Sequence, residues 1–379
     1  MKIAVSVHGR FHGFDLAREL NARDALAGLM TTYPNFMVRK HVGMVKTLAT
    51  APTLELQRRI CQRLGDICGD IDGQISAAFG AFAARNLPDC NLLVGWSSAT
   101  LEAICPAHDI GARVVIERGS SHILHQTSIL SKLHAKNNRS FKGTSARTIE
   151  RELAEYDKAD LIAVPSSYAA KTFAAHGIPS KKIFVNPYGV DLKKFTPSSV
   201  PKFVGPYANI LFVGQVGLRK GIPELLSAFS GLKANANLTL VGPLERGLPE
   251  PIQRDVKVMG PIPMPALPNY YREADIFCLP SWEEGFPLVL LQAMACGLPV
   301  VATEETGAGD IITSGVDGEL VPAGDVLALR EALDRLVSNP ELAATMGAAA
   351  RERVSNGFDW KSYGGRALDA YKKLISGSM

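Results

Sequence analysis

The sequence predicts an α/β protein made of two Rossmann-like domains, each with a parallel sheet. Three observations predict this. Short apolar runs alternate with helical patterns from one end of the chain to the other, which is how right-handed β-α-β units read. The runs fall into two sets of about six, separated by a polar stretch from Asp191 to Tyr207 that contains Pro197, Pro201 and Pro206. A chain of 379 residues also exceeds what one ordinary hydrophobic core accommodates.

Taken in order, Ile3–Val7 is apolar at every position but Ser6 and leads straight into Gly9, so it reads as a first strand rather than a leader segment. Gly28–Thr32, Leu92–Gly95, Arg113–Glu117, Leu161–Pro165 and Ile183–Asn186 are the other strands expected in the first half. Residues 37–64 do not read as strand. Val38, Val42, Met44, Leu54, Leu56 and Ile60 mix there with Arg39, Lys40, Lys46, Arg58, Arg59 and Arg63, which suits one or two amphipathic helices able to lie on an anionic membrane. Residues 128–151 are similar, with Lys132, Lys136, Arg139, Lys142, Arg147 and Arg151. Either segment reads equally as a solvated helix face. In the second half the expected strands are Ile210–Gly214, Leu238–Gly242, Val256–Gly260, Ile276–Leu279, Val300–Thr303 and Gly318–Val321. Residues 1–190 thus form the expected first domain and residues 191–359 the second.

Composition fits this frame: 46% hydrophobic and 21% charged residues suit a globular protein. No apolar run reaches the ~18–20 residues needed to cross a bilayer. The six cysteines, Cys61, Cys68, Cys90, Cys105, Cys278 and Cys296, include no C-x-x-C pair, and a reducing cytoplasmic location is expected. The net charge of +4 is unevenly spread. Residues 1–200 hold 25 Lys+Arg against 17 Asp+Glu, and residues 201–379 hold 16 against 20. A basic half suits an anionic acceptor or membrane surface, or is ordinary surface variation. No helix-turn-helix, finger or aromatic RNA motif accompanies it, so no nucleic-acid partner is expected. Without a clustered His/Cys set, no metal is expected either.

Chemistry concentrates at three strand ends. Leu279–Pro287 (LPSWEEGFP) closes an apolar strand and opens an apolar helix that stops at Gly297. In a parallel sheet such a junction borders the ligand crevice, and its helix N-terminus favours anions. Alone, Glu283 and Glu284 there read as first-turn carboxylates complementing the helix dipole. Phe212–Gly221 (FVGQVGLRKG) joins a strand, a Gly-rich turn, Arg219, Lys220 and a helix start, the ingredients of a phosphate site. Gly9–Gly13 (GRFHG) follows the first strand as a weaker glycine loop.

The run from Glu284 to the helix Gln292-Ala293-Met294-Ala295-Cys296-Gly297-Leu298-Pro299-Val300 resembles the nucleotide-sugar signature of retaining family-4 glycosyltransferases, members of glycosyltransferase group 1. The Lys220 loop resembles that family's diphosphate loop, and Pro187–Asp191, Thr306–Asp310 and Gly315–Gly318 resemble its linker and closing patterns. The resemblance covers about residues 160–325 well and the first 160 loosely. It implies the GT-B fold, with the two sheets facing a central cleft and a last helix, 360–379, packing back on the first domain. Trp360, Tyr363, Leu368, Tyr371 and Leu374 would form that helix's apolar face.

The resemblance also implies a reaction. A sugar passes from a nucleoside-diphosphate sugar to a glycan or lipid-linked acceptor hydroxyl, with retention and with no cofactor beyond the donor. Gly13, Gln215, Arg219, Lys220, Glu284, Gly285, Phe286, Pro287, Leu288 and Gln292 would bind the donor. Glu284 would orient the sugar, and Glu117, Arg118 or His122 would touch it, with Glu117 and His122 first among them and His8 and His12 as further candidates. Two positions depart from the pattern. Gln292 stands for the Glu that accepts the ribose hydroxyls, which implies weaker nucleotide binding or a changed ribose pose. Gln215 stands for an Arg, with Arg219 placed to supply the charge. Two rivals share the fold: a nucleotide-sugar epimerase, and a non-catalytic nucleotide-sugar-binding homologue.

Overall fold

A computed structural model describes residues 1–64, 70–141, 143–200, 202–203, 205–251 and 253–378, apart from the side chains of 62–64. Cys68, Lys142, Pro201 and the side chain of Arg63 lie outside that set. The first sheet contains β1 (Ile3–Val7), β2 (Leu26–Thr31), β3 (Leu48–Thr50), β4 (Leu92–Trp96), β5 (Arg113–Glu117), β6 (Leu161–Val164) and β7 (Ile183–Val185), in the order β3-β2-β1-β4-β5-β6-β7. The second contains β8 (Ala208–Val213), β9 (Ala236–Val241), β10 (Val256–Val258), β11 (Ile276–Leu279), β12 (Val300–Thr303) and β13 (Glu319–Val321), in the order β10-β9-β8-β11-β12-β13. Every pairing between these strands is parallel.

The strands read as unbroken apolar runs because both faces are covered. Ile3, Val5 and Val7 enter one core of the first domain while Ala4 enters the other, and Val115 is separated in the same way from Val114 and Ile116. Full burial of each Ile or Val among them contributes about 1.5–3 kcal/mol before entropy is charged against it. β3 was not expected. Residues 37–64 fold as a helix, Asn35–His41, then β3, then a second helix, Pro52–Leu64. With three residues on the sheet edge, β3 is too short to show alternation, and its pairing with β2 defines it.

Two chain crossings join the domains. Gly189 marks the first, and the helix Trp360–Ser376 marks the return by packing on the helix Gly13–Asn21 of the first domain. Gly189 is not in the left-handed region that a sharp turn would need. Its constraint is space, since a Cβ there would lie 2.5 Å from the backbone of Asp359 and Trp360, where the strands of chain cross. Val190 N donates to Phe358 O at 2.8 Å, and Arg366 donates to Pro187 O at 2.6 Å and Gly357 O at 2.8 Å, which ties the crossings together. Asp191 Oδ1 caps the turn that follows, accepting from Lys193 N and Lys194 N. The buried stripe of the returning helix is Tyr363, Gly364, Ala367, Ala370 and Tyr371, while Leu368 and Leu374 are half-buried.

Candidate active site

In each sheet the strand order reverses at one point, between β1 and β4 in the first and between β8 and β11 in the second. Loops leaving the carboxyl ends of strands at such a point diverge and leave a crevice. The loop after β8 carries Gln215, Arg219 and Lys220, and the loop after β11 carries Glu283, Glu284 and Gly285. Topology therefore brings together two segments more than 60 residues apart, as the Arg219–Glu284 contact shows. The helix Ile222–Ser230 begins immediately after the first loop, with Gly221 left-handed at its start, and the helix Leu288–Ala295 begins after the second.

Glu284 is the centre of the site. Its Oε1 accepts from Arg219 Nη1 at 2.7 Å and from Lys220 Nζ at closer range. Burial pushes the Glu284 carboxyl up, but Lys220 and Arg219 outweigh it and hold the group below its ordinary range. Burial holds Lys220 below its ordinary value, against Glu284 and with help from Arg219. The backbone at Glu284 is fixed as well, through a parallel bridge to Thr306 and the hydrogen bond from Gly307 N to Glu284 O at 3.1 Å. The site thus holds two cations hydrogen-bonded to one carboxylate, with a second carboxylate oxygen, Glu283 Oε2, 3.9 Å from Arg219 Nη1.

Gln215 is exposed at the same strand end. Phe286 is buried and meets Tyr188 edge-on with ring centroids 5.6 Å apart, so it belongs to the packing of the interdomain crossing. Pro287 precedes the first turn of its helix, on which Leu288, Val289 and Gln292 form the half-buried stripe while Leu290, Leu291, Ala293, Met294 and Ala295 are buried. Gln292 Oε1 accepts from Tyr271 Oη at 3.0 Å, a partner the sequence did not suggest.

The first-domain candidates are placed differently. Glu117 is enclosed by its own domain and the returning helix: Oε1 accepts from Tyr363 Oη and Tyr371 Oη, and Oε2 faces His12 Nε2, each at 3.4 Å. His122 caps the helix Ile123–Lys136, its Nδ1 accepting from Leu124 N at 3.3 Å, and its ring stacks on His176 with centroids 4.2 Å apart. Burial, reinforced by His176, Arg118 and His125, pushes its pKa down to about 4. His12 lies at the start of the helix Gly13–Asn21 against Trp96 and Tyr188, and Gly13 is packed against Val7 and Trp96. The His8 ring lies near Phe79, and burial lowers its pKa.

First-domain residues that do reach the second domain include Ser120, Ser121 and Gln126, which meet Glu283, Ser166, whose Oγ donates to Gly285 O at 2.6 Å, and Ser167, which donates to Asp310. Lys136 lies over the Trp282 ring at 4.9 Å, and Arg139 donates to Gly247 O at 2.9 Å. Arg151 pairs with Glu102. Much of the second basic segment therefore serves contacts within the protein. In the first basic segment, Arg58 and Arg59 both pair with Glu55. Among the described residues of that segment, Arg39, Lys40 and Lys46 are the basic side chains left for a partner, and Phe36, Met44, Leu56 and Ile60 are exposed in the same stretch of chain. Among the described residues no three His, Cys, Asp or Glu side chains converge as a metal site, and no helix is long and apolar enough to cross a membrane.

Fold and site together define a two-domain α/β protein with Arg219 and Lys220 gathered on Glu284 at the switch point of its second sheet. Residues 199–353 match the family model of group 1 glycosyl transferases. The chain is 30% identical over 289 residues to D-inositol 3-phosphate glycosyltransferase 2 of Catenulispora acidiphila, covering 68% of this chain and 67% of that protein. A D-inositol 3-phosphate glycosyltransferase of Kribbella flavida is 34% identical over 220 residues, 51% of each chain. The chain thus spans only about half the length of some curated relatives that it matches. The HepE protein of Anabaena, solved with UDP and glucose, superposes with a TM-score of 0.71 over 98% of this chain and all of that one, at 18% identity, which bears on the fold alone. The chain belongs to the group 1 glycosyltransferase family, and its fold is the GT-B arrangement.

Proposed function

We propose that the protein transfers a sugar from a nucleoside-diphosphate sugar to an acceptor hydroxyl with retention, in the synthesis of a cell-envelope polysaccharide or glycolipid. The observation that carries this reading is the Arg219–Lys220–Glu284 cluster, in which two cations share one carboxylate at the crevice of the second sheet. Departure of a nucleoside diphosphate builds negative charge on phosphate oxygens as the sugar ring becomes cationic. Preorganised cations stabilise that charge without reorganising when it forms. Lys220 and Arg219 receive the diphosphate, Glu284 is released toward the sugar hydroxyls, and no cofactor beyond the donor is required. Gln292, held through its amide oxygen by Tyr271, offers its amide nitrogen to the ribose. Glu117 acts through His12, which it orients, rather than on the sugar itself.

The acceptor side is the first domain. Exposed Phe36, Met44, Leu56 and Ile60 with Arg39, Lys40 and Lys46 suit peripheral contact with an anionic membrane, and hence a lipid-linked acceptor. A thermal-shift screen of nucleotide sugars, followed by assay of sugar transfer to lipid-linked and soluble glycans, tests the reading. A ligand bound only by the folded state raises the melting temperature by mass action. Absence of any shift with UDP, GDP or their sugars would refute it. Binding followed by epimerised donor, or binding without turnover, would shift the assignment to one of the rivals.

A further inference from the structure

Glu283 is fully buried, yet most of its hydrogen bonds come from the other domain. Oε1 accepts from Ser120 Oγ at 2.7 Å, Ser121 Oγ at 2.8 Å and Ser121 N at 3.3 Å. Oε2 accepts from Gln126 Nε2 at 3.0 Å. The receptor is set up behind these groups. Arg118 donates to Gln126 Oε1 at 2.8 Å and to Ser121 O at 3.2 Å, and is itself held by Glu152 at 3.0 Å. With its oxygen taken by Arg118, the Gln126 amide can only present its nitrogen to Glu283. The backbones are just as close: a Cβ at Gly285 would lie 2.2 Å from Gly119 O.

On its own side, Arg219 is the cation nearest Glu283, with Lys220 further off. Arg219 Nη1 donates to the Glu283 carbonyl oxygen at 2.8 Å and lies 3.9 Å from Oε2. The same nitrogen donates to Glu284 at 2.7 Å. If the domains part, Glu283 loses four donors at once, and Arg219 is the charge left within reach. We propose that Glu283 is a positioning residue that couples closure of the two domains to the donor grip: the serine–glutamine receptor of the first domain draws its carboxylate off Arg219 and frees that guanidinium for the diphosphate. The kinetic part rests on the sugar-transfer reading above, whereas the structural part does not.

Two variants separate this role from simple packing. Glu283→Gln keeps an acceptor for the serines but sets an NH2 group against Gln126 Nε2, and it removes the competitor for Arg219. Ser120→Ala with Ser121→Ala removes two of the receptor's four donors and leaves the competing carboxylate in place. Small-angle scattering of the full chain without nucleotide should show both variants more extended than the parent. Losing charge-assisted hydrogen bonds of this kind shifts an open–closed equilibrium on the order of 10- to 100-fold. Titration with UDP and GDP should then split them: affinity held or raised in Glu283→Gln, and lowered several-fold in the double serine variant. Turnover should fall by about tenfold or more in both, with KM following the affinities. Unchanged scattering in both variants overturns the latch. Affinities that move in the same direction overturn the coupling through Arg219. If the parent turns over no nucleotide sugar, the sugar-transfer reading fails, and scattering still decides the latch.

Discussion

Glu284→Gln is the perturbation with the most to reveal, because the structure gives it two opposite effects. The parent carboxylate takes charge-assisted hydrogen bonds from both Arg219 and Lys220 on one oxygen. Such bonds contribute about 1.5–3 kcal/mol each. A diphosphate that takes over the two cations must first displace Glu284, so part of its binding energy replaces an interaction already present. With Gln at 284 the acceptor oxygen remains but the charge is gone. The two cations then lose their hydrogen-bonded counter-ion in a largely buried site, with Glu283 3.9 Å from Arg219 as the carboxylate that remains, and the unliganded variant should be destabilised by roughly 1–3 kcal/mol. The same change removes the competitor. Nucleoside diphosphate should therefore bind about 10- to 100-fold more tightly, since each 1.4 kcal/mol is tenfold. Turnover should nonetheless drop by about 100-fold or more, because the sugar loses a charged partner in the transition state. Calorimetry with UDP and GDP, melting curves with and without ligand, and a transfer assay measure the three quantities. Unchanged or weakened diphosphate binding would refute the claim that these cations face the phosphates. Parental turnover would reduce Glu284 to a counter-ion.

The other predictions follow from neighbouring groups. Lys220→Ala should weaken nucleoside diphosphate by about 10- to 100-fold and leave the parent nucleoside almost unaffected, since it removes a charge-assisted hydrogen bond to phosphate; equal losses, read by calorimetry, would place Lys220 elsewhere. Gln292→Glu should let one carboxylate oxygen accept from Tyr271 and leave the other for the ribose, tightening ribonucleoside diphosphate several-fold but not its dideoxy analogue; equal tightening of both would mean that position 292 does not read the ribose. His122 binds a proton in the unfolded chain near pH 6.5 but in the native state only near 4. Stability should therefore be intact above pH 6.5 and fall by up to about 3 kcal/mol as pH drops toward 4. His122→Asn, which keeps a capping oxygen, should flatten that slope in denaturant titrations, and an unchanged slope would assign the pH dependence to other groups. Replacing Arg39, Lys40 and Lys46 with Gln should reduce sedimentation with anionic vesicles at low salt without changing nucleotide affinity, while the same change at Arg58 and Arg59, already paired with Glu55, should do less.

What the sequence by itself determined is whatever depends on short stretches of chain. Twelve of the thirteen strands lie within the expected runs or overlap them, because strands buried on both faces leave continuous apolar segments. The family resemblance and the donor loops are equally local: LPSWEEGFP and GLRKG are contiguous, and their place after strand ends follows from the pattern around them. The sequence did not contain the partnerships. Glu283 looked like a residue that merely complements a helix dipole, and its receptor lies some 160 residues away on the other domain, as the Ser120 contact shows. Glu117 and His122 had the right chemistry at the right strand end, but one anchors His12 and the returning helix, and the other caps a helix and stacks on His176. Arg58, Arg59, Lys136, Arg139 and Arg151 looked like free charge, and the fold gives each a partner. Hydrophobic periodicity fixes which face of an element is buried. Which polar groups meet across a cleft depends on strand order and chain crossings, and these bring together residues that carry no trace of one another in the sequence.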